Sequence, residues 1–507
     1  VSGTVVDALT WWVRTVPDHP AVDLDGDVLT YAELDTWADG VAAVLRGHGV
    51  ARGDRVGIVG TNSLEWCVAA VAAWKIGAVV CGFNQRFLAA ELGALVSLCE
   101  PAVVFGDAAH LPVLEEVRRS GPEFIVLGLD DAVTGARGGE HDPAPAFGAE
   151  PDDPTSIVFT SGTTGTPKGV VFTHRTIAGI MHEWSLGERV GPNDLRVLLV
   201  LPMFTAAGVV WGLSRSLVQG GTMYLQPGFD PPRALEVLQE ARITTFTGPP
   251  ILFEQISRVP GFERARLDHL TTAWVGGARV PVPLLEKWRP RGVALRQLYG
   301  QTEIGGTATA MSAEGALRHP DKCGWGGPFT RIRVLDPDGR DCAVGEVGEI
   351  VMRGPGMFPG YWRNEEATKQ ALRGGWLHTG DLGTLDAGGL LTYVDRMGEM
   401  INSGGLKISP AELETVIAQV PGVIEVAVVP VPDAKFGETS AAVVHVDGDL
   451  APADLVAYCN ERLADYKVPR YVITHDGPLP RMASGKIAKR ELRAVYADAP
   501  ERFPKVR

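Results

Sequence analysis

Apolar and polar positions follow two different rhythms along the chain, and the change between them divides it. Through roughly the first three hundred residues, short apolar runs recur between helical segments. RVGIVG (55–60), AVVFGD (102–107), FIVLGLD (124–130) and SIVF (156–159) read as buried strands, being short and bounded by turn residues. Thr30 and Glu33 have capping-box spacing ahead of a helix that runs towards Gly47–Gly49. This alternation predicts a layered α/β body with largely parallel strands. TGARGGEHDPAPAFGAEPDDP (134–154) reads as a surface loop.

From about residue 328 the rhythm shortens. IRVLDPDGRDCAVGEVGEIVMRGPG alternates apolar residues with turn dipeptides, which predicts antiparallel hairpins and a small β-barrel. A smaller α+β unit follows LLTYVDR (390–396). Its first helix is marked by Ser409 as N-cap, Pro410 at the first position and Glu412 closing the box. VAVVPV (426–431) and AAVVHV (441–446) read as strands, and a helix is expected near 452–464. The expected division is 1–395 and 396–507, with no internal repeat and no low-complexity tract.

Composition narrows the function classes. With 45% hydrophobic and 21% charged residues, the 507-residue chain is ordinary globular protein. Its formal net charge of −14 argues against a general nucleic-acid binder. Six cysteines without a CxxC pair fit a reducing compartment better than a disulfide framework or a zinc site. VSGTVVDALTWWVRTVPD lacks a basic region followed by an apolar core, so no signal peptide is expected. CVAAVAAWKIGAVVCGF (67–83) carries Lys75 and falls short of a membrane span, and the expected location is cytoplasmic.

The candidate chemistry begins at FTSGTTGTPKGVVFTH (159–174). Gly162, Gly165, Pro167 and Gly169 stop the preceding strand, leaving a loop rich in hydroxyls and backbone N–H groups with one cation, Lys168. Such a loop suits a phosphate chain. It is not a Walker A motif, because Pro167 stands where the second Gly belongs and Lys168 precedes Gly169. G-x-S-x-G and H-E-x-x-H are both absent, which weakens serine-hydrolase and zinc-protease readings.

The loop closely resembles the phosphate loop of the adenylate-forming superfamily, which includes acyl-CoA synthetases, adenylation domains and luciferases. Further motifs of that family follow in order: LPMF…G (201–208), GGA (276–278), YGQTE (299–303), GEIVMRGPGMFPGYW (348–362), WLHTGD (376–381), YVDR (393–396), SGG (403–405) and PRMASGKI (480–487). Each alone is weak, since a Gly/Thr-rich loop is more often only a turn. An ordered set over nearly the whole chain is specific.

The resemblance implies a large N-terminal domain, a small mobile C-terminal one, and ATP, Mg²⁺ and coenzyme A as cofactors. Thr160, Ser161, Gly162, Thr163, Thr164 and Lys168 would hold the β- and γ-phosphates. Thr302 would contact the α-phosphate and Glu303 would help bind Mg²⁺. Asp381 and Arg396 would take the ribose, and Gly276, Gly277, Ala278 and Tyr299 the adenine. Lys486 would bridge the carboxylate and the α-phosphate, and Ser403, Gly404 and Gly405 would line the thiol tunnel. The acyl pocket would include Thr205, Ala206, Gly208, Trp211, Gly212, Trp274, Gly276, Gly305 and Gly306, which are uncharged and suit an apolar acyl or aryl group.

Three positions depart from the family pattern. Thr205 stands where carboxylate:CoA ligases usually have His, Gly398 where the hinge is usually Asp or Lys, and Met482 where a small polar residue is common. The leading expectation is an acyl- or aryl-CoA synthetase acting on a small-molecule carboxylic acid through an acyl-AMP. The alternatives are an enzyme of one half-reaction, transfer to a carrier-protein thiol, a luciferase-like oxygenase, or an inactive AMP-binding regulatory protein. Neither nucleic acid nor a membrane span is expected, and a homo-oligomer is compatible with the sequence.

Overall fold

The computed structural model describes residues 3–121, 123–137, 149–160, 167–188, 191, 194–277, 280–403, 406–482 and 485–507. The chain forms two compact units: Val1–Ile332 with Met352–His378, and Arg333–Val351 with Thr379–Arg507.

The first unit holds two mainly parallel sheets. One orders its strands Ile125–Gly128, Val103–Gly106, Arg55–Val59, Val79–Phe83, Pro154–Thr160 and Lys168–Thr173, the last pair antiparallel. The expected strands are therefore all present, with FIVLGLD turning into a π-helical segment at Leu129–Val133. The apolar run at 67–83 is split between the helix Leu64–Lys75 and the strand Val79–Phe83, almost wholly buried. Among the described residues, no helix is long and apolar enough to cross a membrane. Thr30 caps the helix Tyr31–Gly47, and the Glu33 carboxylate closes the box on the Thr30 backbone at 2.8 Å. Of the expected loop at 134–154, residues 138–148 lie outside the described residues.

The second sheet positions the candidate site. Its order is Leu295–Gln297, Thr272–Val275, Thr245–Gly248, Arg196–Leu199, Thr222–Leu225, Pro20–Leu24 and Asp27–Thr30, and all but the last pairing are parallel. The segments 200–208, 276–277 and 298–306 all leave the carboxyl ends of neighbouring strands, which is where open α/β sheets bind ligands.

In the region after 330, the strands run in the order Arg331–Leu335, Gly348–Arg353, Trp376–Leu385 and Leu372–Arg373, with Leu391–Arg396 also on Trp376–Leu385. Among the described residues these pairings form an open sheet and do not close the small barrel that the alternation suggested. The reason is the length of Trp376–Leu385, which takes Leu372–Arg373 along its first residues and Leu391–Arg396 along its last.

The rest of the second unit is α+β. Val423–Asp433 and Gly437–Val446 form a long antiparallel pair, with Tyr471–Thr474 parallel to the second strand. Alternate strand residues feed two cores, one around Ile401, Leu413, Val428 and Leu455, the other around Val429, Val443, Ile473 and Leu492. Ser409 caps the helix Pro410–Ile417. Glu412 does not close a box, because its carboxylate takes the Lys467 ammonium at 2.6 and 2.7 Å.

Candidate active site

The phosphate side of the first unit begins at the hairpin Pro154–Thr160/Lys168–Thr173, in which Thr160 faces Lys168. Ser161, Gly162, Thr163 and Thr164 lie outside the described residues. Lys168 is held above an aromatic face, its Nζ 5.0 Å from the centroid of Tyr361. Tyr361 is fixed there by its chain, which pairs with the hairpin edge: Val171 N–H donates to Gly360 O at 3.3 Å and Trp362 N–H to Gly169 O at 2.7 Å. The Tyr361 hydroxyl donates to Glu303 Oε1 at 2.8 Å. Burial, and then the Glu303 charge, push the Tyr361 phenol far above its usual range, so it remains a donor.

Glu303 is only 8% exposed and sits in a tight turn, Thr302–Ile304, with half-buried Thr302 beside it. Gly305 and Gly306 end that turn with φ of 88° and 91°, a backbone that side-chain-bearing residues rarely adopt. The expected adenine residues leave the adjoining strands. Gly276 N–H donates to Gly248 O at 3.2 Å, and a Cβ on Gly276 would lie 2.4 Å from Leu298 Cδ1. Gly277 bends with φ 77°, Ala278 lies outside the described residues, and Tyr299 is buried with its N–H on Thr309 Oγ1 at 2.7 Å.

The acyl residues fall into two groups. Trp211 and Trp274 line a cavity together with Trp184, Arg215, Thr247, Leu298 and Thr307, and its free volume is about 10 Å³. Trp184 meets both indoles edge-on, at 5.6 and 4.9 Å between centroids. Gly305 and Gly306 seat one of these walls: Trp211 Nε1–H donates to Gly305 O at 2.7 Å, and a Cβ on Gly306 would fall 2.7 Å from that nitrogen. Thr205, Ala206, Gly208 and Gly212 are not among the lining residues. Gly212 faces Leu199 and Met223, and Gly208 abuts Pro202 O. The Thr205 hydroxyl donates to Pro202 O at 2.7 Å and accepts from Gly208 N–H at 3.2 Å, capping the short helix Ala206–Gly208.

The second unit collects the remaining polar groups. Asp381 faces Arg396 across antiparallel strands, with Arg396 Nε 3.3 Å from its Oδ1. Buried Asp395 fixes the Arg396 backbone N–H at 2.8 Å and takes Ser409 Oγ at 2.6 Å, so the start of the helix Pro410–Ile417 braces the arginine. Half-buried Lys486 stands in the field of the same residues. Burial and the Arg396 charge lower its ammonium below the usual lysine range, against the opposing pull of Asp381 and Glu399. Its loop turns at Gly485, φ 80°, where Met482 N–H donates to Lys486 O at 2.7 Å. Gly398 occupies an exposed turn in which a Cβ would meet nothing within 4 Å, and Ser403 is buried in the strand Ile401–Ser403. Gly404 and Gly405 lie outside the described residues.

A family model described as AMP-binding enzyme matches residues 9–362, and one described as AMP-binding enzyme C-terminal domain matches residues 412–486. The chain belongs to the AMP-binding enzyme family. This AMP-binding enzyme is 36% identical over 474 residues to the long-chain-fatty-acid–CoA ligase FadD13 of Mycobacterium tuberculosis, covering 92% of this chain and 93% of the relative. It is 35% identical over 500 residues to a feruloyl-CoA synthase of an Amycolatopsis species, with 96% and 98% covered. Among solved structures it resembles ATP-bound MatB from Rhodopseudomonas palustris, with a TM-score of 0.89, 30% identity, and 98% and 100% covered.

Several residues of the AMP-binding enzyme's site were not singled out by sequence reasoning. Tyr361 lies within a quoted motif, GYW, without an assigned role. Asn62 carried no signal at all. Its side chain donates to Leu201 O and Gln226 O, both at 3.0 Å, and accepts Met203 N–H at 2.9 Å, so it pins the LPMF segment. Trp184, Glu188 and Arg215 belong to the same class: only the fold brings them to the cavity.

Proposed function

We infer that this enzyme is an AMP-forming acid–thiol ligase that joins an apolar acyl or aryl carboxylic acid to coenzyme A. The observation that carries the reading is the Lys168–Tyr361–Glu303 constellation, a cation and a buried carboxylate fixed by one aromatic residue beside the phosphate hairpin.

A carboxylate oxygen attacks the α-phosphorus of ATP, pyrophosphate leaves, and an acyl-AMP results. A thiolate then attacks the acyl carbon and AMP leaves. The first step brings two anions together, so cations must be arranged in advance. Lys168 and Thr160, with Ser161, Gly162, Thr163 and Thr164, hold the outer phosphates, and Thr302 the α-phosphate. Asp381 and Arg396 hold the ribose, Gly276, Gly277, Ala278 and Tyr299 the adenine, and Lys486 bridges the carboxylate and the α-phosphate.

Mg²⁺ fits Glu303, a hard oxygen donor oriented by Tyr361. Among the described residues there is no group of three or more His, Cys, Asp or Glu side chains able to hold a metal ion, so phosphate oxygens and water complete its shell. When bound, the ion neutralises phosphate charge. Ser403, Gly404 and Gly405 line the thiol path, residues 1–395 form the nucleotide- and acyl-binding body, and 396–507 the mobile part with Gly398 at its hinge.

Pyrophosphate release across fatty, aryl and polycyclic acids, with and without coenzyme A, tests the reading. Release on some acid, with acyl-CoA appearing when coenzyme A is added, is expected. Conversion of a supplied acyl-AMP to thioester without release on any acid would mean that adenylation is absent.

A further inference from the structure

Arg215 is the one ionisable side chain among the residues lining the three-tryptophan cavity. It is 2% exposed, and its Nη2 donates to Glu188 Oε2 behind the wall, where Glu188 is 3% exposed. Arg215 Nε donates to Gln219 Oε1 at 2.9 Å, and its guanidinium stands 5.8 Å from the Trp211 ring centroid. The other oxygen of Glu188 accepts Trp274 Nε1–H at 3.1 Å. One buried ion pair therefore contacts two of the three aromatic walls.

Stability alone is a poor reason for this pair. A buried ion pair is often no better than apolar residues of the same volume. Glu188 also sits at the C-terminus of the helix His174–Gly187, where the helix dipole disfavours an anion. What the pair does is set the charge of the cavity. An unpaired buried guanidinium would bind a carboxylate strongly, in the forked geometry that carboxylates prefer. A second guanidinium, Arg296, stands 5.4 Å from the Trp274 ring, and Glu188 is the carboxylate that favours its charged form. Without Glu188, two cations would act on this pocket.

We propose that Glu188 makes the Glu188–Arg215 pair a charge filter, which neutralises the acyl cavity and so selects acids with an uncharged tail over acids bearing a second carboxylate. In the native pair, a distal carboxylate is desolvated and meets the Glu188 anion together with Arg215, so it gains little. Glu188 is a specificity-determining residue, one that acts on the acid through Arg215 and Trp274. The inference rests on the ligase reading above.

Pyrophosphate release should be measured for octanoate against octanedioate, and for phenylpropanoate against its para-carboxylated homologue, with native enzyme and Glu188→Gln. Native enzyme should prefer the monoacids. Glu188→Gln should raise the diacid-to-monoacid ratio of kcat/KM by about tenfold or more, mainly through a lower KM for the diacid. Native activity with an unchanged ratio in a folded Glu188→Gln enzyme overturns the filter and leaves the ligase reading standing. No release from native enzyme on any acid overturns the ligase reading itself. A double variant, Glu188→Leu with Arg215→Met, guards against misfolding of the single one. It should keep monoacid kcat/KM within about threefold and leave diacids excluded. A folded double variant that accepts diacids as well as Glu188→Gln does, or that loses monoacids, refutes the proposal.

Discussion

Tyr361 donates its hydroxyl to Glu303 at 2.8 Å across 58 residues of sequence, and the same ring lies under the Lys168 ammonium at 5.0 Å. One side chain thus sets the position of both the anion and the cation of the phosphate site. Tyr361→Phe keeps the ring and loses only the hydrogen bond to a charged group, worth about 1.5–3 kcal/mol. Adenylation should fall about tenfold, with the Mg²⁺ concentration for half-maximal rate raised and the melting temperature little changed. Pyrophosphate exchange against Mg²⁺ concentration measures both. An unchanged Mg²⁺ dependence would detach Tyr361 from the metal.

Thr205 replaces the His usual in the family, and its hydroxyl is committed to Pro202 O and Gly208 N–H. Thr205→Val preserves shape and removes both bonds. It should cost about 1 kcal/mol in urea unfolding and leave the acid profile unchanged. A shifted profile at unchanged stability would place the hydroxyl on the substrate.

What could be read from the sequence was local. Capping at Thr30 and Ser409 and the short buried strands depend on residues a few positions apart, and periodicity reports them. Where a local rule failed, a distant partner had won: Glu412 has the spacing of a capping box but binds Lys467, 55 residues away. The same limit governs the site. Asp381, Arg396 and Lys486 stand in one electrostatic neighbourhood and were legible only through motif resemblance. Glu188–Arg215 and the Asn62–Met203 bond, 27 and 141 residues apart, have no motif to announce them. Trp211 was legible as a wall, but the reason for Gly306 beside it was not, because only the packed indole shows why a Cβ is excluded.

Gly398 separates two questions that a hinge usually confounds. Its φ is not in the left-handed region and nothing lies within 4 Å of an added Cβ, so this conformation does not require glycine. Gly398→Ala should therefore leave the melting temperature unchanged or slightly raised. If the backbone here must change between adenylation and thioester formation, one half-reaction should slow more than the other. Pyrophosphate exchange and thioester formation from supplied acyl-AMP give the two rates, and equal effects on both would remove Gly398 from the hinge.

His174 ties the first helix to the body, with Val5 N–H donating to its Nδ1 at 3.1 Å and only 1% of the residue exposed. Burial pushes its pKa down to about 4, against the opposing charges of Asp153 and Asp7. The folded state therefore keeps it neutral while the unfolded chain protonates near the usual 6.5. This contribution is complete above pH 6.5 and is lost as pH falls towards 4, a change on the order of 3 kcal/mol. Carboxylates titrate in the same window, so the readout is a difference. Urea midpoints of native protein should fall more steeply between pH 7 and 4.5 than those of His174→Gln, and parallel slopes would refute the assignment.

Lys486 carries the pH dependence of the chemistry, and its sign follows from its neighbours. The ammonium must be charged to bridge two anions, yet burial and Arg396 lower its pKa. Adenylation should consequently decline on the alkaline side well before an ordinary lysine would lose its proton. Arg396→Gln removes a like charge and should move that alkaline limb to higher pH, although ribose binding weakens and KM for ATP rises. Asp381→Asn removes a favourable anion and should move it lower. Lys486→Ala should abolish adenylation and spare thioester formation from supplied acyl-AMP. A limb that ignores both neighbouring charges, in kcat profiles taken at saturating ATP, would assign the titration to another group and leave Lys486 as a contact without control of the rate.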